Sequence, residues 1–270
     1  MSDNLDGLYS IVVELRAIES GNPPATLGRA LHALVLNWLN LANPELATAT
    51  HDLAVSPLSV SGLIGNRRPN EVKGGDCFHL KIGVLDSQLI HPLLTGLTQW
   101  AMQPIILAKF PFLMTRTYMV HESHPLANVS SYSKLVEAAG NQSLIELTFL
   151  SPTSFKQKQG IQTFPLPELV FGNLQRRWNN FAPEPLHFPE IEWQGLVSAY
   201  ELKTHALKLE GGAEIGAQGW IRYRFPDPEQ AKIARILAEF AFYAGVGRKT
   251  TMGMGQTQFN STTKPKPIKR

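Results

Sequence analysis

The sequence predicts an α+β fold made of two related halves. Strand-like and helix-like patterns follow one another as strand, helix, strand, strand, helix, strand over residues 8–121, and a similar series restarts at residue 144. The first series has the ferredoxin-like order, a split βαβ unit. A length of 270 residues, with 43% hydrophobic and 17% charged residues, suits one large domain or two of ordinary size with buried cores.

Periodic apolar residues define the elements of the first half. In the segment 25–41 they recur at helical spacing, as Leu27, Leu31, Leu34, Val35 and Trp38. In the segment 77–85 they alternate, which is typical of a half-buried strand. The predicted elements are a strand at 8–18, a helix at 25–41, a short turn leading to His51, a strand within 53–64, a polar turn at 66–75, a strand at 77–85, a helix at 86–102 and one or two strands in 105–121.

The second half repeats this scheme after a segment with one short helix, residues 123–140. Its last helix has the clearest boundaries, because Asp227 is a typical N-cap, Pro228 suits the first turn and Gly245 suits the C-terminal end. The predicted elements are a strand at 144–150, a turn at 151–160, a helix at 167–180, an antiparallel pair at 195–209 and 213–225, a helix from Ala231 and a strand at 252–259.

The charge distribution predicts that the second half binds a polyanion. The chain carries 25 basic and 22 acidic residues, a net charge of +3. Residues 1–150 hold 9 basic and 12 acidic residues (net −3), whereas residues 151–270 hold 16 and 10 (net +6). Part of this excess comes from the tail 261–270, with Lys264, Lys266, Lys269 and Arg270.

Other features narrow the class of protein. The single cysteine, Cys77, excludes an internal disulfide framework and a thiolate zinc cluster. We expect no membrane span, because no run of 18 uncharged apolar residues occurs. The N-terminal residues lack the apolar core of a signal peptide, so the expected compartment is the cytoplasm. His121 and His124 lack the spacing of a helical HExxH zinc motif, and no GxSxG motif surrounds Ser151 or Ser154.

A glycine-rich, basic loop lies between the last helix and the last strand. Glycines let the backbone approach a ligand closely, and exposed N–H groups beside Arg248 and Lys249 suit phosphate. The order helix, loop, strand excludes a P-loop and a dinucleotide fingerprint, both of which open a helix. A turn solvated by its charges is the alternative interpretation, but several contiguous phosphates, as in RNA, explain the loop better than one nucleotide does. The residues assigned to RNA binding here are Gly245, Gly247, Arg248, Lys249, Gly253 and Gly255.

Three segments resemble the CRISPR-associated repeat-cleaving endoribonucleases, the Cas6 family of the repeat-associated mysterious protein superfamily. They are NPELATATHD at 43–52, FLSPTSF at 149–155 and GVGRKTTMGMGQ at 245–256, and the resemblance extends over residues 8–259. It implies two tandem ferredoxin-like (RNA-recognition-motif-like) domains packed side by side. It also implies binding to the repeats of CRISPR precursor RNA, and one cut per repeat without a metal or another cofactor.

The resemblance further implies a catalytic residue. His51 matches a histidine that follows the first helix in many members. Members with a three-residue site add a tyrosine in that helix and a lysine shortly after the histidine. Here the tyrosine position is Leu36, and no Lys or Arg follows His51 until Arg67. A solvated loop histidine is the alternative interpretation of His51.

Metal-free cleavage uses the ribose 2′-OH as the nucleophile and leaves a 2′,3′-cyclic phosphate, so the protein must transfer protons and stabilise negative charge. Histidine suits proton transfer near neutral pH, and cations suit the charge. We therefore predict that His51 transfers the proton and that Lys156 replaces the missing lysine. The other predicted RNA contacts are His32 on the first helix, Ser154 and Lys158 in the turn, and Arg176 and Arg177 on the second-half helix. In isolation basic residues of this kind are more often solvated surface charges, and it is their clustering in the basic half that favours RNA contacts.

These inferences divide the chain into an N-terminal ferredoxin-like domain (1–122), a linker (123–142), a C-terminal ferredoxin-like domain (143–260) and a basic tail (261–270). The predicted partners are the repeat RNA, subunits of an interference complex and a second copy of the chain in a homodimer, with no membrane. Two other function classes stay open. One is a non-catalytic RNA-binding subunit of a CRISPR ribonucleoprotein complex, and the other is a small-molecule enzyme on a ferredoxin-like scaffold.

Overall fold

The structure is a computed structural model that describes residues 6–23, 27–65, 71–140, 142–209 and 212–260. The predicted basic tail, the part of the predicted polar turn that holds Arg67, and the predicted helix start at Ala25 lie outside these residues. Among the described helices, none combines the length and the apolar character that crossing a membrane requires.

The first half is an antiparallel sheet with helices packed on one face. Its elements are β1 (Gly7–Ala17), α1 (Gly28–Ala42), α2 (Pro44–Asp52), β2 (Leu58–Val60), β3 (Cys77–Val84), α3 (Ile90–Gln99), β4 (Pro104–Leu107), β5 (Phe110–Tyr118) and β6 (Asn128–Ser131). The strand order is β2-β3-β1-β5-β4, and β6 pairs with the N-terminal end of β1. The strands β1, β2, β3 and β5 with α1 and α3 make up the ferredoxin-like unit.

Side chains alternate along the strands and so divide this sheet into two faces. Ile11, Val13 and Leu15 of β1 are fully buried in the core beneath α1 and α3. The α1 residues predicted for this core are all buried, namely Leu27, Leu31, Leu34, Val35 and Trp38. The opposite face carries the intervening residues, which include Glu14 of β1 and Cys77, His79 and Lys81 of β3.

The second half has the same architecture. Its elements are α4 (Tyr132–Glu137), β7 (Leu144–Thr153), β8 (Phe155–Gln157), β9 (Gly160–Gln162), α5 (Pro167–Phe181), β10 (Leu196–Leu209), β11 (Gly212–Arg224), α6 (Pro228–Ala244) and β12 (Thr257–Phe259). The order β10-β11-β7-β12 in this sheet corresponds to β2-β3-β1-β5 in the first. The predicted fold class, with two ferredoxin-like halves, is therefore confirmed.

The predicted short turn before His51 is wrong, because residues 44–52 form the helix α2. Asn43 caps it, since its side-chain Oδ1 accepts a hydrogen bond from the Leu46 N–H (3.0 Å), and Pro44 occupies the first turn. Asn43 and Pro44 therefore end α1 and begin the next helix.

Three further predicted boundaries change. The turn at 151–160 contains the end of β7 and the hairpin β8–β9, because Phe155 and Gln157 pair with Gln162 and Gly160. The strand within 53–64 is limited to β2, and the strand at 252–259 is limited to β12. The segment 123–140 contains β6 in addition to the predicted short helix, which is α4.

The C-terminal end of α6 and the glycine-rich loop join the two halves. Gly83 of β3 lies against α6 so closely that a Cβ atom would overlap with the Tyr243 carbonyl group. Beyond α6, the Val60 N–H donates to the Thr250 carbonyl oxygen (2.8 Å), and the Gly253 N–H donates to the Val60 carbonyl oxygen (3.0 Å). The loop of the second half thus continues the edge of the first sheet.

Gly83→Ala should therefore lower the free energy of unfolding by about 1–3 kcal/mol, because the added Cβ atom would overlap with the backbone carbonyl of Tyr243, which cannot rotate away, and with Ser59 Oγ. Gly172→Ala in α5 is the matched control, since no heavy atom of the described residues lies within 4 Å of its Cβ position. That change should leave stability equal or raise it by up to about 1 kcal/mol. Urea denaturation measures both, and equal stabilities would contradict the close packing at Gly83.

Candidate functional site

His51 lies in the last turn of α2 and is exposed to solvent. The helix that carries it is short and polar, and its buried residues are Ala47 and Thr50. These two side chains fix α2 on the body of the first half while its C-terminal turn projects outward. The position leaves the His51 imidazole free to meet a large ligand.

His32 of α1 faces His51 across the contact between α1 and α2. The two ring centroids are 6.5 Å apart, and the planes are inclined by 30°. Burial lowers the pKa of His32, and the neighbouring His51 lowers it further. His32 is consequently neutral at pH 7, so one ring nitrogen accepts a hydrogen bond and the other donates one. His51 was predicted to transfer a proton and His32 to contact RNA, and the two side chains are neighbours in the structure.

A depression between the two halves gathers several of the predicted basic residues. One cavity, of about 390 Å³, has residues 54–56 of the first half on one side and residues of α5 and the glycine-rich loop on the other. A second cavity, of about 410 Å³, adjoins it through shared residues. We call the combined depression the basic groove. Its lining includes Lys156, Asn173, Arg176, Gly247, Arg248 and Lys249.

The basic groove begins close to His51. Ala54, at its wall, follows His51 by three residues, so their Cα atoms are at most about 11 Å apart. Arg176 is exposed on α5 and lines both cavities, as does Lys249. Lys156 is exposed on β8 and belongs to the lining of the second cavity alone, as far as the described residues show. Arg176 and Lys249 are therefore better placed than Lys156 to assist His51.

Arg248 and Lys249 share one carboxylate partner, Glu214 of β11. The distances are 3.0 Å from Arg248 Nη1 to Glu214 Oε2 and 2.5 Å from Lys249 Nζ to Glu214 Oε1. The hydrogen bond from Lys249 and the charges of both cations lower the pKa of Glu214, although its partial burial opposes this. Glu214 stays ionised, and it ties the β10–β11 hairpin to the loop.

The glycines of the loop are needed for the backbone conformation of the loop. The sequence analysis expected them instead to open the backbone to a phosphate. Gly245, Gly247, Gly253 and Gly255 all have positive φ, between 67° and 91°. Three of them are buried, and a Cβ atom at Gly247 or Gly255 would overlap with backbone carbonyl groups. Positive φ favours glycine at all four positions, and the close carbonyl groups exclude a Cβ atom at Gly247 and Gly255.

The N–H groups of this loop are engaged inside the protein. Gly247 N donates to Asn173 Oδ1 (2.9 Å), Arg248 N to the Ser154 carbonyl oxygen (2.9 Å), and Gly255 N to the carbonyl oxygen of Pro152 (3.0 Å). Gly245 and Gly253 also donate to backbone carbonyl groups. The prediction that these N–H groups are exposed to phosphate is wrong in this conformation. The side chains of Arg248 and Lys249 remain at the surface of the groove.

Arg177 is buried, and its predicted position at an RNA surface is wrong. Its side chain donates to the carbonyl oxygens of Ala244, Ser56 (3.2 Å) and Leu58 (3.2 Å) and lies 3.3 Å from Thr250 Oγ1. Burial lowers the pKa of Arg177 to about 10, so it is still protonated at neutral pH. Its hydrogen bonds join segments of both halves directly beneath the basic groove.

The two remaining predicted contacts differ in accessibility. Ser154 is fully buried, and its Oγ has no partner among the described residues, so the prediction of an exposed RNA contact fails for this side chain. Lys158 is exposed at the turn between β8 and β9, where its φ is 52°. The described residues that line the basic groove do not include Lys158.

Two residues that hold the glycine-rich loop were not predicted from the sequence, Asn173 and Glu214. Asn173 holds the loop from a position 74 residues earlier in the chain, and Glu214 holds it from 34 residues earlier. Neither belongs to a local motif. One signal was available for the burial of Arg177, which continues the helical spacing of the buried Val170 and Leu174.

Comparison with known proteins finds similarity to CRISPR-associated nucleases. The family model described as "CRISPR-associated endoribonuclease Cas6" matches residues 147–257. The Cas6 endoribonuclease of Streptococcus thermophilus is 26% identical over 124 residues, which are 43% of this chain and 50% of that relative. The match thus spans half the length of that protein. The Cas6 endoribonuclease of Mycobacterium tuberculosis (strain CDC 1551 / Oshkosh) is 23% identical over 261 residues, 94% of this chain and 78% of that relative.

Solved structures agree with this fold over most of the chain. A product complex of Thermus thermophilus Cas6 has a TM-score of 0.81 and 26% sequence identity, with 94% of this chain and 100% of that chain covered. A product complex of another Cas6 has a TM-score of 0.76 and 26% identity over the same shares of the two chains.

The matching strand orders and the basic groove define an α+β protein of the tandem ferredoxin-like class. The family model covers most of the second half, and relatives of the same name align with nearly the whole chain. The chain is thus similar to the CRISPR-associated endoribonucleases described as Cas6.

Arg177→Ala should lower the free energy of unfolding by about 3 kcal/mol or more, because it removes a charged donor and leaves several buried carbonyl groups without a partner. Arg176→Ala, one residue earlier and exposed, is the matched control and should change stability by less than about 0.5 kcal/mol. Urea denaturation of both variants checks this. Similar losses in the two variants would contradict the buried role of Arg177.

Proposed function

We propose that this protein cleaves within the repeats of CRISPR precursor RNA and so produces guide RNAs. The proposal rests on one arrangement, in which an exposed histidine beside a neutral one lies three residues before the wall of a basic groove, in a chain similar to the Cas6 endoribonucleases. Relatives described as endoribonucleases, and solved neighbours described as product and substrate-mimic complexes, support it.

The reaction we propose is an internal transesterification that needs no metal ion. The ribose 2′-OH attacks the adjacent phosphorus, the bond to the 5′-oxygen breaks, and the products are a 2′,3′-cyclic phosphate and a 5′-hydroxyl group. One proton leaves the 2′-OH, and one reaches the leaving oxygen. His51 carries out one of these transfers, since its exposed imidazole reaches a docked strand.

His32 orients the strand or the His51 imidazole in this proposal. Its lowered pKa keeps it neutral, so it can accept a hydrogen bond from a ribose hydroxyl group. Arg176 and Lys249 face residues 54–56 across the groove. They would neutralise the phosphates next to the cut, and Lys156 would contact the strand farther along.

His51→Ala should reduce cleavage of repeat RNA about 10²–10⁴-fold in the presence of EDTA and leave RNA affinity nearly unchanged. His91→Ala, an exposed histidine on α3, is the matched control and should cleave at the wild-type rate. The measurement is single-turnover cleavage with the product ends mapped.

Wild-type cleavage by the His51 variant would contradict the assignment of His51. If the wild-type protein shifts the RNA without cutting any repeat of a panel, the chain is instead a non-catalytic RNA-binding subunit. Leu36 and the lack of a lysine just after His51 keep this alternative open. Association with interference-complex subunits and dimerisation stay predictions.

Arg176→Gln should weaken binding to all repeat RNAs by a similar factor and reduce the slope of log affinity against log salt by about one. The physical reason is that one phosphate contact, with its released counterion, is lost. Lys232→Gln on the exposed side of α6 is the charge-matched control and should leave the slope unchanged. Fluorescence anisotropy at several salt concentrations measures both, and an equal slope in the two variants would remove Arg176 from the interface.

A further inference from the structure

The face of the first sheet opposite α1 and α3 carries a cluster of three groups that bind metal ions well. Glu14 lies on β1, and Cys77 and His79 lie two residues apart on β3. All three side chains share this face because side chains two residues apart on a strand point the same way. The cluster is not part of the basic groove described above.

The strand register brings the three groups to one point. Glu14 is directly opposite His79 in the β1–β3 pair. Cys77 is opposite Arg16 and is therefore the diagonal neighbour of Glu14. A carboxylate oxygen of Glu14, the Cys77 sulfur and a ring nitrogen of His79 all lie within 4.8 Å of one another. Glu14 Oε2 and His79 Nε2 are 3.8 Å apart. An ion about 2.0–2.3 Å from each atom, the usual range for zinc ligands, fits between them after small side-chain rotations.

A second layer of residues holds the carboxylate in position. Thr115 Oγ1 donates to Glu14 Oε1 (2.5 Å), and the Tyr118 hydroxyl donates to Glu14 Oε2 (2.9 Å), both from β5. Glu14 is 9% exposed, so these hydrogen bonds fix a nearly buried side chain. Outer hydrogen bonds of this kind are a regular feature of metal ligands in proteins.

Two neighbours limit the ligand set. The His124 ring is 4.7 Å from the His79 ring, but its Nδ1 accepts a hydrogen bond from the Leu126 N–H (3.1 Å). Nε2 of a neutral His124 therefore carries the proton and is not a ligand. Arg16 lies 3.8 Å from Glu14 Oε1, and its charge opposes a cation. Its side chain is 54% exposed, so it can turn toward solvent when an ion binds.

We propose that Glu14, Cys77 and His79 bind one zinc-type divalent cation, with water as the fourth ligand. One carboxylate, one thiolate and one imidazole form a mixed donor set suited to zinc or cobalt and poorly suited to magnesium or calcium. Binding releases the proton of the Cys77 thiol. The single cysteine excludes a cluster of thiolates but not this mixed site.

The ion would stabilise the sheet rather than take part in the proposed RNA cleavage. It would link β1 to β3, the two central strands of the first half. His51 belongs to the opposite side of the sheet, where α1 and α2 lie, so the ion would not reach its proton-transfer chemistry. The inference therefore stands independently of the proposed function.

The test uses the untagged full-length chain, stripped with a chelator and kept reduced. Titration with Co²⁺ should give one ion per chain and the near-ultraviolet charge-transfer band of a cobalt–thiolate bond. Zn²⁺, measured by competition with a chromophoric chelator, should displace Co²⁺ and raise the melting temperature. Cys77→Ser should abolish the band, and both Cys77→Ser and His79→Gln should weaken Zn²⁺ binding at least tenfold.

His124→Gln is the matched control and should bind Zn²⁺ like the wild type, with the same cobalt spectrum. Circular dichroism and the melting temperature of the ion-free variants show whether each is folded. The proposal is overturned if the wild-type protein gives no thiolate band, or if folded Cys77→Ser and His79→Gln bind Zn²⁺ with wild-type affinity. Loss of binding in His124→Gln alone would also overturn it, since the ligand would then be a different histidine.

Discussion

The buried guanidinium group of Arg177 is the interaction on which the site depends. It donates hydrogen bonds to the carbonyl oxygens of Ser56 and Leu58 in the first half and of Ala244 at the end of α6, and it contacts Thr250 Oγ1 in the loop. A desolvated arginine needs such acceptors to stay charged inside a protein. The same hydrogen bonds hold Ser56, which lies with residues 54 and 55 in the wall of the basic groove, a few residues after His51. The positions of both candidate elements therefore depend on one buried charge.

Elements with a regular apolar period were predictable, because burial of one face decides their form. The helix α1 and the strand β3 are examples, and their buried residues are the expected ones. The helix α2 was missed because it has no apolar stripe, and only Ala47 and Thr50 are buried in it. The short strands β6 and β8 depend on partners elsewhere in the fold, which local sequence does not reveal.

The candidate site could be predicted in part. The resemblance indicated His51, and the basic character of the second half indicated Arg176, but nothing local separates Arg176 from Arg177 except the apolar spacing around them. The sequence located the glycine-rich loop correctly, but the explanation that its N–H groups are exposed to phosphate was wrong. The positive φ angles and close contacts of its glycines are needed to fold the loop against β7 and the first sheet, and such contacts come from distant parts of the chain.

The pairing of Glu214 with Arg248 and Lys249 changes what these two cations offer to an incoming strand. The three side chains together carry one positive charge rather than two, and the carboxylate already fills the place of a phosphate. A phosphate that binds there exchanges with a tethered anion instead of releasing mobile counterions. Such an exchange would depend less on ionic strength than the release of free counterions does. Any phosphate at this loop would have to compete with Glu214 for the two cations.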